Sequence, residues 1–280
     1  MYFLQNYFIW LRKLVIRIVF KQYPNSLLKS NALKDNSSQK INFISSTKNF
    51  WVSKYMYEKW QYYSDKKNIN LNIYADSQVN DFMKDNFKDK LIFDIYKKSM
   101  IPVQKIDIFR ICSTYTYGGI WLDLKSEINL DKIIELYKKS NSQGILMYEP
   151  RRIEIVNFKN KKYINEFKNV IHNGFFYLPK KSLFLEKIIN KIERDYLYFQ
   201  DIFFTYPKQG IMNLTGPHQF TRSFYELDKR DKPLLASHHD IGWKYCSRYG
   251  EYLSPLSRKR HYSLLKNLKT IDSKKIIELN

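Results

Sequence analysis

At 280 residues, with 44% hydrophobic side chains and an aromatic share of 17%, the chain can bury a substantial core, which excludes extensive disorder. Two cysteines, Cys112 and Cys246, and five histidines are too few for a disulfide framework or a structural zinc site, so a reducing, cytoplasmic setting is expected. The formal charge of +21 is spread without any run of five or six basic residues, which suits a membrane surface or a phosphate-bearing substrate; no specific nucleic-acid partner is expected.

In chain order, residues 1–22 come first as a basic, apolar-rich helix. Met1–Phe20 is broken by Arg12, Lys13 and Arg17 and has neither the uninterrupted apolar core nor the small-residue cleavage site of a signal peptide. Gln5, Asn6, Arg12, Lys13 and Arg17 share one half of a helical wheel, with Ile9, Ile16 and Phe20 intruding. Three readings stand: a helix lying on the membrane surface, a tilted span with snorkelling cations, and a helix packed on the domain or a partner. Residues 23–40, with Pro24, Asn25, Ser26 and Asn36–Ser38, read as a polar linker, so the folded domain is expected over 41–280.

Within it the period alternates. Strands are predicted at Ile41–Ser45 and Leu71–Tyr74, with a helix at Phe50–Tyr63 between them and a helix at Val79–Asn86, capped by Asp76 or Ser77, after them. A helix at Val103–Tyr117 and strands at Ile120–Leu124, Gly144–Tyr148 and Gly174–Leu178 follow. Helices at Ser182–Tyr198 and His218–Leu227 and a strand at Leu234–Ser237 complete the pattern, the first of these helices being scaffold with Leu185, Ile188 and Ile192 on its buried face. Strands alternating with helices predict an α/β sheet.

The chemistry concentrates between Ile106 and Glu127. Asp107 and Arg110 are three apart and share a helix face, so a carboxylate and a guanidinium project together. Gly118 and Gly119 stand where that helix must stop and hand over to a strand. The strand then delivers Asp123 at its carboxyl end, the edge where open α/β sheets bind ligands. Continued extension would put Asp123, Lys125 and Glu127 on one side. Acceptors for hydroxyl groups beside cations for phosphates suit a sugar diphosphate. Asp123 and Arg110 are both expected to be exposed there and replaceable without loss of the fold.

D-x-x-R followed by Y-G-G-I-W-L-D, with Ile101-Pro102-Val103 ahead of it, resembles the sugar-binding region of glycosyltransferase family 32, the DXD-motif family that includes mannosyltransferases and capsular polysaccharide synthesis proteins. Weaker likenesses in the right order are Tyr74-Ala75-Asp76, His172-Asn173-Gly174-Phe175-Phe176, Thr215-Gly216-Pro217-His218, and the His239 to Trp243 stretch. The resemblance implies a GT-A-like nucleotide-diphospho-sugar transferase fold, with a mostly parallel sheet between helices. It implies transfer, with retention of configuration, from a nucleotide-sugar to a glycan or lipid-linked acceptor in surface polysaccharide or glycoconjugate synthesis. The helix at 1–22 would hold the protein peripherally on an anionic membrane.

In such a site Asp107, Arg110 and Asp123 would be catalytic, and Tyr74, Asp76, Gly118, Gly119, Trp121, Lys125, Asn173 and Gly216 would line the donor. Mn²⁺ or Mg²⁺ would be held by Asp123 with Glu127 and His239; His218, His238 and His261 are the remaining histidines considered for that shell. The family's last motif carboxylate, an ordinary metal ligand, is replaced by Lys125. Either the Lys125 ammonium replaces the metal against the diphosphate, or Glu127 supplies the ligand, or activity has been lost with the fold retained. The last reading corresponds to a non-catalytic basic protein that binds membrane or nucleic acid.

Overall fold

The computed structural model describes residues 22–24, 40–47, 51–66, 69–151, 153–156, 164–245 and 262–275. The expected helix over Met1–Phe20 and His261 lie outside these. Across the expected boundary between helix 1–22 and linker 23–40, Gln22–Pro24 pairs antiparallel with Trp51–Ser53, so the last expected helical residue, Gln22, is extended.

Six strands form the central sheet: β1 (Ile41–Thr47), β2 (Ile69–Ala75), β3 (Gly119–Leu122), β4 (Ile145–Glu149), β5 (Val170–Leu178) and β6 (Leu234–Ser237). Their spatial order is β6-β4-β5-β3-β1-β2. β1 runs parallel to β2 and β3, β6 runs parallel to β4, and only β5 is antiparallel to its neighbours β3 and β4. Five strands therefore present their carboxyl ends on one edge, joined there by the amino end of β5. This is the mostly parallel, helix-flanked α/β architecture that the GT-A-like resemblance implies.

Side-chain alternation along each strand divides the core in two. Ile44, Trp121, Leu146, Phe176 and Leu178 face one layer, covered by α2 (Asp76–Phe87), α3 (Leu91–Lys98), α4 (Pro102–Tyr117), α6 (Leu183–Asp195) and α8 (Pro217–Tyr225). Phe43, Ile120, Leu122, Met147, Phe175 and Tyr177 face the other, covered by α1 (Lys54–Ser64) and α5 (Leu130–Lys139). A further helix, α7 (Pro207–Leu214), precedes α8. Among the described residues no helix is long and apolar enough to cross a membrane.

Several expected boundaries shift. The helix expected from Phe50 begins at Lys54, because Trp51–Ser53 is taken up in strand pairing. Asp76 is the first residue of α2 rather than its cap; Ala75 holds that place, its amide donating to the Gln78 side chain at 2.9 Å. Helices α3, α5 and α7 were not anticipated, although Asn129 caps α5 through a bond from the Lys132 amide at 3.1 Å. α4 matches closely, starting with Pro102 in its first turn and ending at Gly118 with φ of 67°.

Candidate active site

Everything that defines the site lies on the carboxyl edge of the sheet. α4 runs beneath the Trp121 face and brings Asp107 and Arg110 under that edge. Arg110 stands between two carboxylates: its Nη2 is 3.2 Å from Asp107 Oδ1 and its Nη1 is 3.3 Å from Asp123 Oδ1. The same Nη1 donates to the Asn173 carbonyl, and the guanidinium carbon lies 5.1 Å from the centre of the Trp121 ring. Trp121 and Asp123, two apart along the strand direction, share a side, and the indole N–H donates to Asp123 Oδ1 at 3.1 Å.

Asp107 is satisfied from three directions. The Asn173 amide donates to its Oδ1 at 3.1 Å, the Thr215 hydroxyl donates to its Oδ2 at 3.2 Å, and Arg110 supplies the charge. Burial nevertheless dominates, pushing its pKa up to about 7 against the opposing pull of Arg110; the Asp123 charge adds to the rise. Asp123 is the open member: its side chain is 39% exposed, against 6% for that of Arg110. Arg110 is thus not exposed as expected, because α4 packs against the sheet and the guanidinium is the buried centre of the cluster.

The structure adds His172, which the sequence reading passed over except as part of a motif. Between Ile171 and Phe176 the register of β5 against β4 shifts, so β5 is irregular there. Asn173 reaches Asp107, while His172 and Gly174 sit beside Asp123, a Cβ placed on Gly174 coming within 3.0 Å of Asp123 Oδ2. The Gly174 amide donates to His172 Nδ1 at 3.1 Å, so the neutral ring carries its proton on Nε2; burial, above all, lowers its pKa. His238, just past β6, packs its ring 6.3 Å from that of His172 and stacks on Trp243 at 5.0 Å. It is His238 rather than the exposed His239 that turns toward this edge; the backbone carbonyl of His239 accepts from Lys132.

Other expected residues fall out of the site. Gly118 and Gly119 open β3, at the opposite end from Asp123, so they do not line a donor at the carboxyl edge. Their role is close packing: a Cβ on Gly119 (φ 107°) would stand 2.2 Å from the Asn42 carbonyl oxygen, where β1 and β3 approach. Gly216 lets α7 meet α8, a Cβ there falling 2.9 Å from Met212 Cα, and it is its neighbour Thr215 that touches Asp107. Trp121 is 1% exposed and backs the site from beneath. Tyr74, at the end of β2, packs its ring 5.0 Å from Phe109, and burial raises its pKa. Asp76 lines a cavity of about 260 Å³ with Val79, Tyr96, Lys105, Ile106 and Lys275.

The extension expected from Asp123 through Glu127 does not occur. A turn closes at once, the Ser126 amide donating to the Asp123 carbonyl at 2.8 Å. α1 pins it: the Lys59 ammonium donates to the carbonyls of Leu124 and Ser126, both at 2.7 Å, and the Trp60 indole donates to that of Leu124 at 3.1 Å. Lys125 is exposed on this turn, and Glu127 pairs with Lys244 at 3.7 Å. His218 lies by Asn213, its pKa pushed down to about 4 by burial and then by Arg222. Among the described residues no three His, Cys, Asp or Glu side chains are grouped so as to hold a metal ion, so the Asp123, Glu127 and His239 set does not fit Mn²⁺ or Mg²⁺.

Among solved structures, the chain is similar to the PaToxG glycosyltransferase, at 15% identity over 67% of this chain and 69% of that one, with a TM-score of 0.42. It is also similar to the UDP-bound glycosyltransferase domain from the YGT toxin, at 11% identity over 65% of this chain and 55% of that one, with a TM-score of 0.34. No protein-family model and no curated protein matches the sequence. Neither similarity singles out family 32, and that attribution rests on the motif residues alone.

Proposed function

We propose that this chain is a glycosyltransferase that moves a sugar from a nucleotide-sugar donor to a glycan or lipid-linked acceptor. The observation that carries the reading is the Asp107–Arg110–Asp123 cluster, one carboxylate buried and one open, at the carboxyl edge of the sheet. The open Asp123 accepts from hydroxyl groups of the donor. Arg110 and Asn173 fix Asp107 beneath it, so the charged set is arranged before the donor arrives and little reorganisation is needed. The Arg110 Nε–H is buried without a hydrogen-bond partner, which leaves one donor of the guanidinium uncommitted.

In this reading the cavity by Asp76 and Ile106, one residue before Asp107, receives the nucleoside end. Leaving-group charge falls to lysines, with Lys125 on the turn after Asp123 and Lys105 and Lys275 at the cavity. Burial and then the charge of Lys275 lower the Lys105 pKa. No step is assigned to a metal ion. The burial of Asp107 and Arg110 also suits a non-catalytic chain that keeps the cluster as architecture. A panel of nucleotide-sugars screened for slow donor hydrolysis, with and without chelator, separates the two. Hydrolysis of one donor that persists in chelator and weakens about ten-fold in Lys125→Ala supports the proposal. Hydrolysis of none supports the architectural reading.

A further inference from the structure

Of the large hydrophobic side chains exposed among the described residues, seven of twelve fall in two segments that the fold places side by side. Phe203–Phe204 pairs antiparallel with Leu268–Lys269, and the pairing is stitched by the Asn267 amide donating to the Thr205 carbonyl at 3.2 Å and the Asp201 amide donating to that of Ile271 at 2.9 Å. Phe204 turns inward and stacks on Phe199 at 6.0 Å. Phe203 turns outward and is 67% exposed, close in exposure to Leu264 at 62% and Leu197 at 61%. Tyr198, Ile202, Tyr206 and Leu268 are the other exposed members of the two segments. Scattered apolar residues need no explanation, but a concentration on one face does.

The charge around this face is cationic. Lys269 holds its ammonium 5.5 Å from the centre of the Phe203 ring, and Lys266 stands 6.0 Å from that of Tyr206. Lys208 and Lys266 are exposed, and neither is ion-paired among the described residues. The nearby carboxylates, Asp201 and Asp272, are both engaged by Lys269, at 3.1 and 3.5 Å. Exposed aromatic and leucine tips among lysines are the composition of a surface that sits in a lipid headgroup layer. A second copy of a chain with charge +21 would meet the same cations, whereas an anionic bilayer meets them with opposite charge.

We propose that this face, built from the Phe203–Phe204 and Leu268–Lys269 pairing with Tyr206 and Leu264, docks on an anionic lipid surface. The docking is independent of the glycosyltransferase reading, but it bears on it. Tyr206 immediately precedes α7, and Thr215, which bonds Asp107, immediately follows it. Eight helical residues span about 12 Å, so a docked protein holds its charge cluster roughly one short helix from the headgroups. An acceptor carried on a lipid would then arrive at the site from the surface on which the protein rests.

The test is sedimentation of the full chain with vesicles of phosphatidylcholine alone and of phosphatidylcholine mixed with phosphatidylglycerol. The wild type is expected to bind the mixed vesicles, with binding weakened by added salt. Phe203→Ser with Leu268→Ser should weaken it ten-fold or more. Lys208→Glu with Lys266→Glu should weaken it at least 25-fold, from about five-fold for each lysine lost. Both pairs are on the surface and should melt with the wild type. Failure of the wild type to bind, or wild-type affinity in both double variants, overturns the proposal. So does a self-association of the wild type, read by analytical ultracentrifugation, that the Phe203→Ser/Leu268→Ser variant abolishes, because the face would then belong to a second copy.

Discussion

Replacing Arg110 by methionine removes the guanidinium that stands 3.2 Å from Asp107 and 3.3 Å from Asp123 while keeping much of its apolar stem. Asp107 and Arg110 are both buried, so the substitution strands a carboxylate without its cation, which costs about 3–5 kcal/mol. The half-open Asp123 side adds no more than ~1 kcal/mol. At ~2–4 °C per kcal/mol, the melting temperature near pH 8 should fall by about 6–24 °C. The deficit must depend on pH. Asp107 binds its proton more tightly in the folded chain, with a pKa near 7, than unfolded, so its contribution is full below the ordinary carboxylate range and is lost as pH rises through about 7. Arg110 holds that value down, so without it the loss extends above pH 7. The gap between variant and wild type should therefore be widest at pH 8 and narrow toward pH 5, where Asp107 is protonated in both. Melting followed by circular dichroism from pH 5 to pH 8 reads it directly. Equal melting at every pH, or a gap that widens toward pH 5, would refute the assignment of Arg110 as the counter-charge of a buried carboxylate.

Gly119→Ala should destabilise the chain by several kcal/mol, because its Cβ would sit 2.2 Å from the Asn42 carbonyl at a φ of 107°; a melting temperature within ~2 °C of the wild type would contradict the packing described. Lys59→Met should cost about 1–3 kcal/mol by taking the side-chain donor from the Ser126 carbonyl and leaving that of Leu124 to the Trp60 indole alone, and should speed hydrogen exchange at the Ser126 amide; unchanged exchange there would mean that the turn holds without Lys59. Lys125→Ala, at an exposed turn position, should leave melting within about 0.5 kcal/mol of the wild type, and a larger loss by denaturant titration would show that Lys125 is structural.

The parts of the site readable in the sequence are those set by local geometry. Asp107 and Arg110 needed only the helical period, and Asp123 needed only the strand expected at Ile120–Leu124, which ends two residues sooner, at Leu122. Asn173 and the Thr215 turn were reached through the order of weak motifs. The path after Asp123 was not readable, because Lys59 and Trp60, more than 60 residues earlier, close the turn that carries Lys125 outward. His172 was hidden for a related reason: strict alternation puts it on the face opposite Asn173, and the irregular stretch in β5 is set by pairing with β4. The burial of Arg110 depended on how α4 seats on the sheet, which its own sequence does not announce because apolar and polar residues are mixed all round it. The place of Gly118 and Gly119 was available from the outset, since glycines that open a strand lie at the edge away from the residue that follows it.

We propose Asp123, held by Trp121 and Arg110, as the open contact for a nucleotide-sugar. Isothermal titration of the hydrolysed donor from the panel into wild type and Asp123→Asn, in excess chelator, tests it most directly. Measurable binding by the wild type without metal is expected, with at least a ten-fold loss in Asp123→Asn and melting temperatures matched to within a few degrees. Equal affinity in the two proteins, or binding by the wild type that appears only when Mn²⁺ is supplied, would contradict it.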